Sequence, residues 1–319
     1  MRGGLLSLAL LLAAVTARAE SYPARPIHIV VPYAPGGLSD VVARKLGGAL
    51  GEALGQSVVV DNRPGASAII GCELVARAAP DGYTLLMISS GNLTTNPSLF
   101  ATLPYDTLRD FAPVSNIGYA AYLLDVHPSL PVHTVAELVA LAKARPATLD
   151  ASIPGSGAGG HLALELFMHL SGTRFNEIPF KGAGPALADT LAGQTQLIMD
   201  ALPTSLPHVR AGAIRALAVS SAVRSPLLPE LPTIAEAGLP GYDYAVYNGL
   251  LAPAGTPAAI VERLQRETAQ LAGGAAMRTA FQDVGLTLTA STPAEFARYI
   301  RAETAKWAGI IKQAAIQPQ

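Results

Sequence analysis

The chain has 319 residues, of which 50% are hydrophobic and 14% are charged. A chain of this length and apolar content can bury one large core or two medium ones, so disorder is excluded as its main state. The formal net charge is -1, from 22 basic and 23 acidic residues without a long run of one sign. A surface that follows a phosphate backbone is therefore not expected, and nucleic acid is excluded as a partner.

The N-terminus has the pattern of an export signal. Arg2 precedes an apolar segment over residues 5–15, and Ala17-Arg18-Ala19 has the small-x-small form of a cleavage site. The apolar segment is short for a membrane span, which needs about 20 residues, so an uncleaved anchor is the alternative. We predict a signal peptide over residues 1–19, cleaved near Ala19, and a mature protein in the periplasm.

The single cysteine, Cys72, cannot form an intramolecular disulfide. Stability in an oxidising compartment then has to come from the core. A thiol nucleophile would need a neighbouring base and a residue that orients this base, and the nearby sequence supplies neither. We expect Cys72 to be a small buried residue on a helix.

Residues 27–88 alternate between strand and helix patterns. Strands are predicted at residues 27–31, 58–60 and 83–88, with one helix from residue 38 to Gly55 and another between residue 69 and Pro80. This β-α-β-α-β order predicts a parallel sheet with right-handed crossovers. Because ligands bind beyond the carboxyl ends of such strands, the loops at residues 32–40 and 89–97 are candidate ligand loops.

A second unit of the same kind begins near residue 119. Its strands are predicted at residues 119–126, near 153, 174–180, 196–201 and 214–220, with helices after Thr134 and at residues 161–170, 185–191 and 205–211. A strand at residues 242–251 is expected to return the chain to the first unit. Three helices are predicted to complete the chain, at residues 257–272, 275–284 and 293–314.

We therefore predict an α/β protein of two lobes, each a sheet flanked by helices. Domain 1 is expected over residues 20–120 and 248–319, and domain 2 over residues 121–247. A cleft between the lobes would collect the loops at the carboxyl ends of both sheets, and clefts between domains are preferred ligand sites. No internal sequence repeat relates the two units beyond this shared order of elements.

The loop after the first strand, YAPGGLSD over residues 33–40, is typical of an anion site. Glycine lets a ligand approach the main chain, and the free N–H groups and dipole of the following helix favour negative charge. Tyr33 either lines the ligand or packs the loop. Asp40 either stabilises the first helical turn and the loop or contacts the ligand directly.

A second glycine loop follows a predicted strand at residues 154–160. Gly155, Gly157 and Gly160 fit the G-x-G-x-x-G pattern of dinucleotide-binding loops. The acidic residue expected about 20 positions later is missing, since the next strand ends at Phe180-Lys181. We therefore expect these N–H groups to bind a carboxylate, and we predict no cofactor.

His161, Glu165 and His169 are spaced four residues apart and share one face of a predicted helix. The first and third lie about 12 Å apart along the helix, which is too far for them to bind one ion. No metal site is therefore predicted. His161 is instead expected to contact the ligand or to form hydrogen bonds within the loop.

Two charged side chains near strand ends have open roles. Asp200 either accepts a hydrogen bond from the ligand or is structural, and Lys181 either offsets the charge of the ligand or is solvated. No nucleophilic serine elbow is visible, and no serine has a nearby base. A binding protein is therefore favoured over the alternative, an exported α/β enzyme that uses Asp200 and His161 on a small carboxylate.

Eight segments carry a resemblance to a known family. They cover residues 22–40, 61–71, 79–86, 103–114, 155–167, 178–187, 231–242 and 251–257. In this order they resemble the Bug-type solute-binding proteins, the extracytoplasmic receptors of tripartite tricarboxylate transporters. The resemblance implies a type II periplasmic-binding-protein fold, a venus flytrap that closes on a small carboxylate, with a membrane permease as partner. We expect a monomer without a metal or a cofactor.

The resemblance also implies a set of ligand-binding residues. They are Tyr33, Ala34, Pro35, Gly36, Gly37, Asp40, Ser89, Gly91, Asn92, Ser156, Gly157, Ala158, Gly159, His161, Lys181, Gly182, Gly184, Asp200 and Ala201. Three positions depart from the family pattern. Phe180 stands where tyrosine is common, Tyr247 stands where tryptophan is common, and Asp125 interrupts an apolar strand. The first two departures leave the identity of the ligand open.

Overall fold

The computed structural model describes residues 22–155, 157–180, 182–283 and 285–313. The predicted signal peptide, Ser156 and Lys181 lie outside these residues. The strands are β1 Ile27–Val31, β2 Val58–Asn62, β3 Thr84–Ser89, β4 Phe111–Val126, β5 Asp150–Ile153, β6 Asn176–Pro179, β7 Leu197–Ala201, β8 Arg215–Val219, β9 Ala245–Pro253 and β10 Thr287–Leu288. The helices are α1 Leu38–Leu54, α2 Ile69–Ala76, α3 Ser90–Leu99, α4 Val135–Ala144, α5 Gly159–Ser171, α6 Ala183–Leu191, α7 Leu202–Arg210, α8 Ala258–Gly273, α9 Ala275–Gln282 and α10 Pro293–Gln313.

The strands form a mixed sheet in the order β2-β1-β3-β9-β4-β7-β5-β6, while β8 and β10 pair with β4. Strand β1 is parallel to β2 and to β3, and β5 is parallel to β6 and to β7. The α/β class and the parallel pairing in the first unit are therefore confirmed. Strand β9 pairs antiparallel with β3, so the chain returns to the first unit as predicted.

The long strand β4 connects two halves of the sheet. Its residues 111–121 pair with β9, and its residues 122–126 pair with β7 and β8. We use "first half" for β1–β3, β9 and the start of β4, and "second half" for β5–β8 and the end of β4. The chain crosses between the halves along β4 and again at the start of β9. The domain boundaries at residues 120 and 248 stay a prediction.

The C-terminal helix α10 packs against both halves. Phe296 and Ile300, near its start, lie in an apolar cluster of the first half. Trp307 and Ile311, two turns and more further on, lie in the main cluster of the second half. A helix of 21 residues is about 30 Å long, which is enough to reach both clusters.

The segment after β3, expected to be a loop, is helix α3. Pro97 lies inside this helix and cannot donate a backbone hydrogen bond to Leu93. The Thr107 hydroxyl donates to that carbonyl instead, at 3.1 Å, so the proline leaves no orphaned acceptor. Turn-forming residues therefore misled the sequence prediction, because a side chain from outside the helix compensates for the missing donor.

The environment of the single cysteine agrees with the sequence prediction. Cys72 is fully buried on α2, as predicted, and burial raises the pKa of its thiol to about 12. A thiol in this environment stays protonated and is a packing residue.

Among the described residues, no helix combines the length and the hydropathy needed to cross a membrane.

Candidate functional site

Five helices begin shortly after the carboxyl ends of strands, namely α1, α3, α5, α6 and α7. Among the described residues, no side chain caps the N-terminus of any of the five. Helix α4 differs, because Thr134 Oγ1 accepts a hydrogen bond from the Glu137 N–H at its start. The first N–H groups of a helix have no intrahelical partner, so uncapped ends can bind an anion.

The Gly36 turn, residues 33–37, precedes α1. Gly36 has a φ of 85° and donates its N–H to Asp40 Oδ2 at 2.9 Å. Asp40 is 3% exposed, and it also accepts from Arg44 Nε at 3.1 Å and from Asn62 Nδ2 at 3.0 Å. Both oxygens of Asp40 therefore have protein donors, which favours the helix-and-loop role over direct contact with a ligand.

The same donors set the ionisation of Asp40. Burial by itself raises the pKa of this carboxyl, but hydrogen bonds from Arg44, the Gly36 amide and Asn62, with the charge of Arg44, outweigh burial and hold the pKa below its usual value. The acceptor of the Gly36 turn is therefore an anion at neutral pH.

Tyr33 joins the Gly36 turn to helix α3. Its hydroxyl donates to Asn92 Oδ1 at 2.9 Å, and its carbonyl accepts from Asn62 Nδ2 at 3.0 Å. Burial raises the pKa of Tyr33 well above its usual range, so the hydroxyl stays a donor. The next four residues of the turn, Ala34, Pro35, Gly36 and Gly37, are exposed. Tyr33 thus packs the loop, while the glycine backbone stays accessible.

The N-termini of α3 and α5 meet between the two halves. A Cβ placed on Gly91 would lie 3.9 Å from both the Cα and the N of Gly159. Ser89, the last residue of β3, is half-buried at the start of α3. Leu99, at the end of α3, packs into the main cluster of the second half. The predicted loops of the two halves are therefore in contact at this position.

The Gly157 turn, formed by Gly155, Gly157 and Ala158, precedes α5. Gly157 has a φ of 74° and donates its N–H to His161 Nδ1 at 2.8 Å. The Gly157 N–H is therefore used within the loop rather than offered to a ligand. Gly159 follows at the first helical position, and a Cβ there would overlap the Tyr122 hydroxyl. Glycine is required at this position because of that close approach.

His161 also lies beside two acidic side chains. Its Nε2 is 3.4 Å from Glu165 Oε1 and 3.4 Å from Glu177 Oε1. One potential metal-ligand atom from each of the three side chains lies within 4.8 Å of the other two. His169, which was predicted to share this helix face with His161 and Glu165, is exposed and is not in this group. Burial lowers the pKa of His161, whereas the carboxylates of Glu165 and Glu177 act in the opposite direction and raise it.

Two glycines that were predicted to bind the ligand, Gly182 and Gly184, lie at the start of α6. Gly182 has a φ of 125°, and a Cβ on Gly182 or on Gly184 would meet no atom within 4 Å. Conformation, and not close packing, therefore requires glycine at position 182. The neighbouring Lys181 and, in the Gly157 turn, Ser156 are predicted site residues that lie outside the described part of the chain.

Asp200 and Ala201 end strand β7 and are both buried. Asp200 Oδ2 accepts hydrogen bonds from the Thr204 hydroxyl at 2.5 Å and the Ser205 hydroxyl at 3.2 Å. Burial raises the pKa of Asp200 to about 6, although these donors oppose the shift. These contacts give Asp200 a structural partner set at the start of α7.

Asp125 lies on the same sheet face as Asp200. The register pairs Leu123 with Asp200 and Asp125 with Ile198, so the two acids are diagonal neighbours across β4 and β7. Asp125 is fully buried, and neither of its oxygens has a hydrogen-bond partner among the described residues. Burial raises the pKa of Asp125 to about 8, with a contribution from the charge of Asp200, although the nearby Ser205 hydroxyl opposes the shift. At neutral pH this carboxyl is mainly protonated.

Sequence reasoning missed two residues of this region. Tyr122 lies within an apolar strand, where a tyrosine gives no signal beyond packing. Glu177 lies in a short strand 16 residues beyond His161, and no spacing rule connects the two positions. Only the pairing of β5 with β6 brings Glu177 next to α5.

Comparisons with known proteins find relatives that match most of this chain. A family model described as a tripartite tricarboxylate transporter family receptor matches residues 42–316. BugT of Bordetella pertussis is 39% identical over 296 residues, which cover 92% of this chain and 91% of that protein. The structure of Rpa4515 from R. palustris with adipate has a TM-score of 0.88 and 40% identity, covering 93% of this chain and 100% of that one.

A further solved structure is that of MatC from Rhodopseudomonas palustris with bound malate. It has a TM-score of 0.82 and 30% identity, and it covers 91% of this chain and 100% of that one. The family match spans most of the sequence, and the relatives match over nearly their whole length. This chain therefore belongs to the tripartite tricarboxylate transporter receptors, the family of the Bug solute-binding proteins.

Proposed function

We propose that this protein is an exported receptor that binds a small organic carboxylate between its two halves and delivers it to a membrane permease. The observation that carries the proposal is the meeting of uncapped helix N-termini from both halves at Gly91 and Gly159. Each helix end offers unpaired amide donors, and together they suit the charge of a carboxylate. The bound adipate and malate in the related structures support the same ligand class.

Local dipoles, and not the overall charge, would attract the ligand. The chain has 22 basic and 23 acidic residues, and removal of residues 1–19 takes away Arg2 and Arg18, which leaves 20 against 23. A net charge of this sign does not attract an anion at long range. Backbone N–H groups and helix dipoles supply the positive potential at the site itself.

The proposed binding residues are those that the resemblance implied, from Tyr33 to Asp40, 89–92, 156–161, 181–184 and 200–201. Within this set, direct contact is assigned to main-chain donors near Gly37, Gly91 and Gly159. The side chains of Asp40 and His161 have protein partners, so they hold the turns in place. Domain closure would use the crossings of β4 and β9 as its hinge, with domain 2 over residues 121–247.

A receptor returns its ligand unchanged, and we propose that this chain has no catalytic activity. The enzyme alternative relied on Asp200 and His161, but Asp200 Oδ2 and His161 Nδ1 both have hydrogen-bond partners four residues away along the chain. Incubation with a bound carboxylate, followed by mass spectrometry, tests this point. Recovery of intact ligand supports the receptor, and steady consumption of the acid would contradict it.

A thermal-shift screen tests the ligand class. The mature protein is unfolded and refolded to remove bound ligand, and then mixed with mono-, di- and tricarboxylates that include adipate and malate. Ligand at 100 times its Kd stabilises by about 2.7 kcal/mol, so a clear rise in Tm is expected for at least one acid. The absence of a shift with every acid would overturn the carboxylate proposal.

Export and transport are tested in cells. Expression of the full chain is expected to place a product that begins at Glu20 in the periplasmic fraction, as measured by intact mass. Deletion of the gene is expected to abolish uptake of the acid that the screen identifies. Unchanged uptake would separate the receptor from the permease while leaving ligand binding intact.

A further inference from the structure

The two glycine turns share a side-chain arrangement that the sequence does not reveal. In each turn a glycine with positive φ lies one residue before the helix N-cap and donates its N–H to the side chain four residues later. The acceptor is Asp40 in the first half and His161 in the second, at 2.9 Å and 2.8 Å.

Each acceptor is supported in the same two ways. Asp40 contacts Arg44, four residues later on α1, and Asn62, on the next strand β2. His161 contacts Glu165, four residues later on α5, and Glu177, on the next strand β6. The units β1-α1-β2 and β5-α5-β6 therefore place equivalent partners around equivalent acceptors, since each pair of strands is parallel.

The hydrogen bond from Gly157 fixes which nitrogen of His161 carries a proton. A neutral imidazole has one N–H donor and one acceptor nitrogen. Nδ1 faces the Gly157 N–H at 2.8 Å, so it must offer its lone pair, because two N–H groups cannot point at each other at this distance. The imidazole proton is then on Nε2, directed toward Glu165 and Glu177.

The two glutamates stabilise this tautomer. Their Oε1 atoms flank Nε2 at 3.4 Å each, and Glu177 Oε1 is buried without a hydrogen-bond partner among the described residues. Negative charge on this side of the ring favours a proton at Nε2, which keeps Nδ1 an acceptor. The same two carboxylates raise the pKa of His161, but the second ring proton would have to sit on Nδ1, where the Gly157 N–H opposes it, so the geometry is that of the neutral ring.

We propose that His161 is the positioning residue of the anion-binding turn in the second half. Its Nδ1 holds the Gly157 turn in the orientation that directs the Gly159 and Gly160 amides to the ligand, while Glu165 and Glu177 fix its tautomer. Positioning of the ligand amides rests on the proposed function, whereas the tautomer rests on the geometry alone. A metal ion on Nε2 is the competing arrangement, and it would require a proton on Nδ1, opposite the Gly157 N–H.

Two substitutions of His161 test the roles of its two ring nitrogens separately. Asn at position 161 places its oxygen near the position of Nδ1, whereas Gln places its amide nitrogen near the position of Nε2 and leaves no acceptor for Gly157. We expect His161→Asn to keep carboxylate affinity within about twofold and His161→Gln to weaken it by at least about fivefold, the loss typical of one hydrogen bond. His169→Gln, at an exposed position on the same helix, is the control and should bind like the unmodified protein.

Equal affinity for the Asn and Gln variants would overturn the positioning role. Loss of folding in the Gln variant is detected by circular dichroism, and ¹⁵N NMR of the unmodified protein then decides the question. We expect His161 to have protonated Nε2 and unprotonated Nδ1, and Glu177→Gln to reduce the population of this tautomer. A protonated Nδ1, before or after addition of Zn²⁺, would contradict the proposal.

These measurements also separate the inference from the proposed function. Binding of a carboxylate together with a protonated Nδ1 would refute the role of His161 and leave the receptor function standing. The expected tautomer in a protein that binds no carboxylate would refute the ligand role of the turn and keep the hydrogen-bond geometry.

Discussion

In the Gly36 turn the glycine N–H donates to a carboxylate, Asp40, whereas in the Gly157 turn it donates to an imidazole, His161. Asp40 is an anion next to the cation Arg44, and His161 lies next to the anions Glu165 and Glu177. The backbone conformation is the same and the charges around it are opposite. A turn of this shape therefore needs only an acceptor at the fourth residue, and its net charge is free to differ between the halves.

The two turns also differ in the protonation state on which each hydrogen bond depends. The charge-assisted bonds of Asp40 are stronger than neutral ones and persist while the carboxyl is ionised. The bond to His161 depends on which ring nitrogen carries the proton. The Gly36 turn thus depends on the ionised carboxylate of Asp40, and the Gly157 turn depends on the tautomer of His161.

The largest expected effect comes from adding a methyl group to Gly157. Gly157→Ala forces an alanine to a positive φ and places its Cβ against Leu99 Cδ1, whereas Gly36→Ala has only the conformational cost, since no atom lies within 4 Å of its Cβ. We expect losses in unfolding free energy of about 3 kcal/mol and about 1–2 kcal/mol, respectively. Urea unfolding measures both values.

Gly48→Ala is the matched control for that pair, because Gly48 lies inside α1 with open space around its Cβ. It should stabilise the protein by about 0.5–1 kcal/mol through helix propensity. A Gly157→Ala variant no less stable than Gly36→Ala would show that Leu99 moves aside without cost.

Asp40→Asn tests the ionic half of the comparison. It removes the charge and sets an amide against Arg44, so we expect a loss of about 2 kcal/mol at pH 7. Because the folded pKa of Asp40 lies below the unfolded value of about 3.9, its contribution is present above that value and is lost as pH falls through the folded pKa. The stability difference between the two proteins should therefore shrink in acid, and a difference that is constant between pH 7 and pH 3 would contradict this.

Asp125→Asn tests the buried acid of the second half, for which the described residues supply no hydrogen-bond partner. The folded pKa of about 8 exceeds the unfolded value of about 3.9, so the unmodified protein should be most stable below the unfolded value and lose stability as pH rises through the folded one. Asparagine cannot ionise, so we expect the variant to be similar to the unmodified protein at pH 4 and to gain on it by up to about 1.4 kcal/mol for each pH unit between pH 4 and pH 8. Parallel pH profiles of the two proteins would indicate that Asp125 has a partner.

The smallest effect is expected for Arg44→Gln. The Arg44 side chain is 52% exposed, and exposed ion pairs contribute little because solvent screens them. We expect a loss below about 1 kcal/mol and little change in ligand affinity, since Gly36 and Asn62 still donate to Asp40. A loss as large as that of Asp40→Asn would mean that Arg44, and not the two hydrogen bonds, holds the turn.

Much of the fold could be predicted from short stretches of sequence. The glycines at positions 36 and 157 mark turns because their backbone conformation is costly for other residues. Strand and helix periodicity predicted the parallel units, and the capping pattern at Thr134 predicted the start of α4. The loop expected after β3 is a helix, because the compensation of Pro97 by Thr107 connects residues ten positions apart and leaves no local pattern.

The sequence by itself thus determined most of the order of elements, the two glycine turns and the family, since these depend on local conformation and on motifs read in order. Only the tertiary structure decided that Glu177, and not His169, joins His161, and that Asn62 joins Asp40. It also placed Gly91 against Gly159. Such contacts follow from strand register and from the crossing of β4 between the halves, and neither is encoded by the spacing of the residues involved.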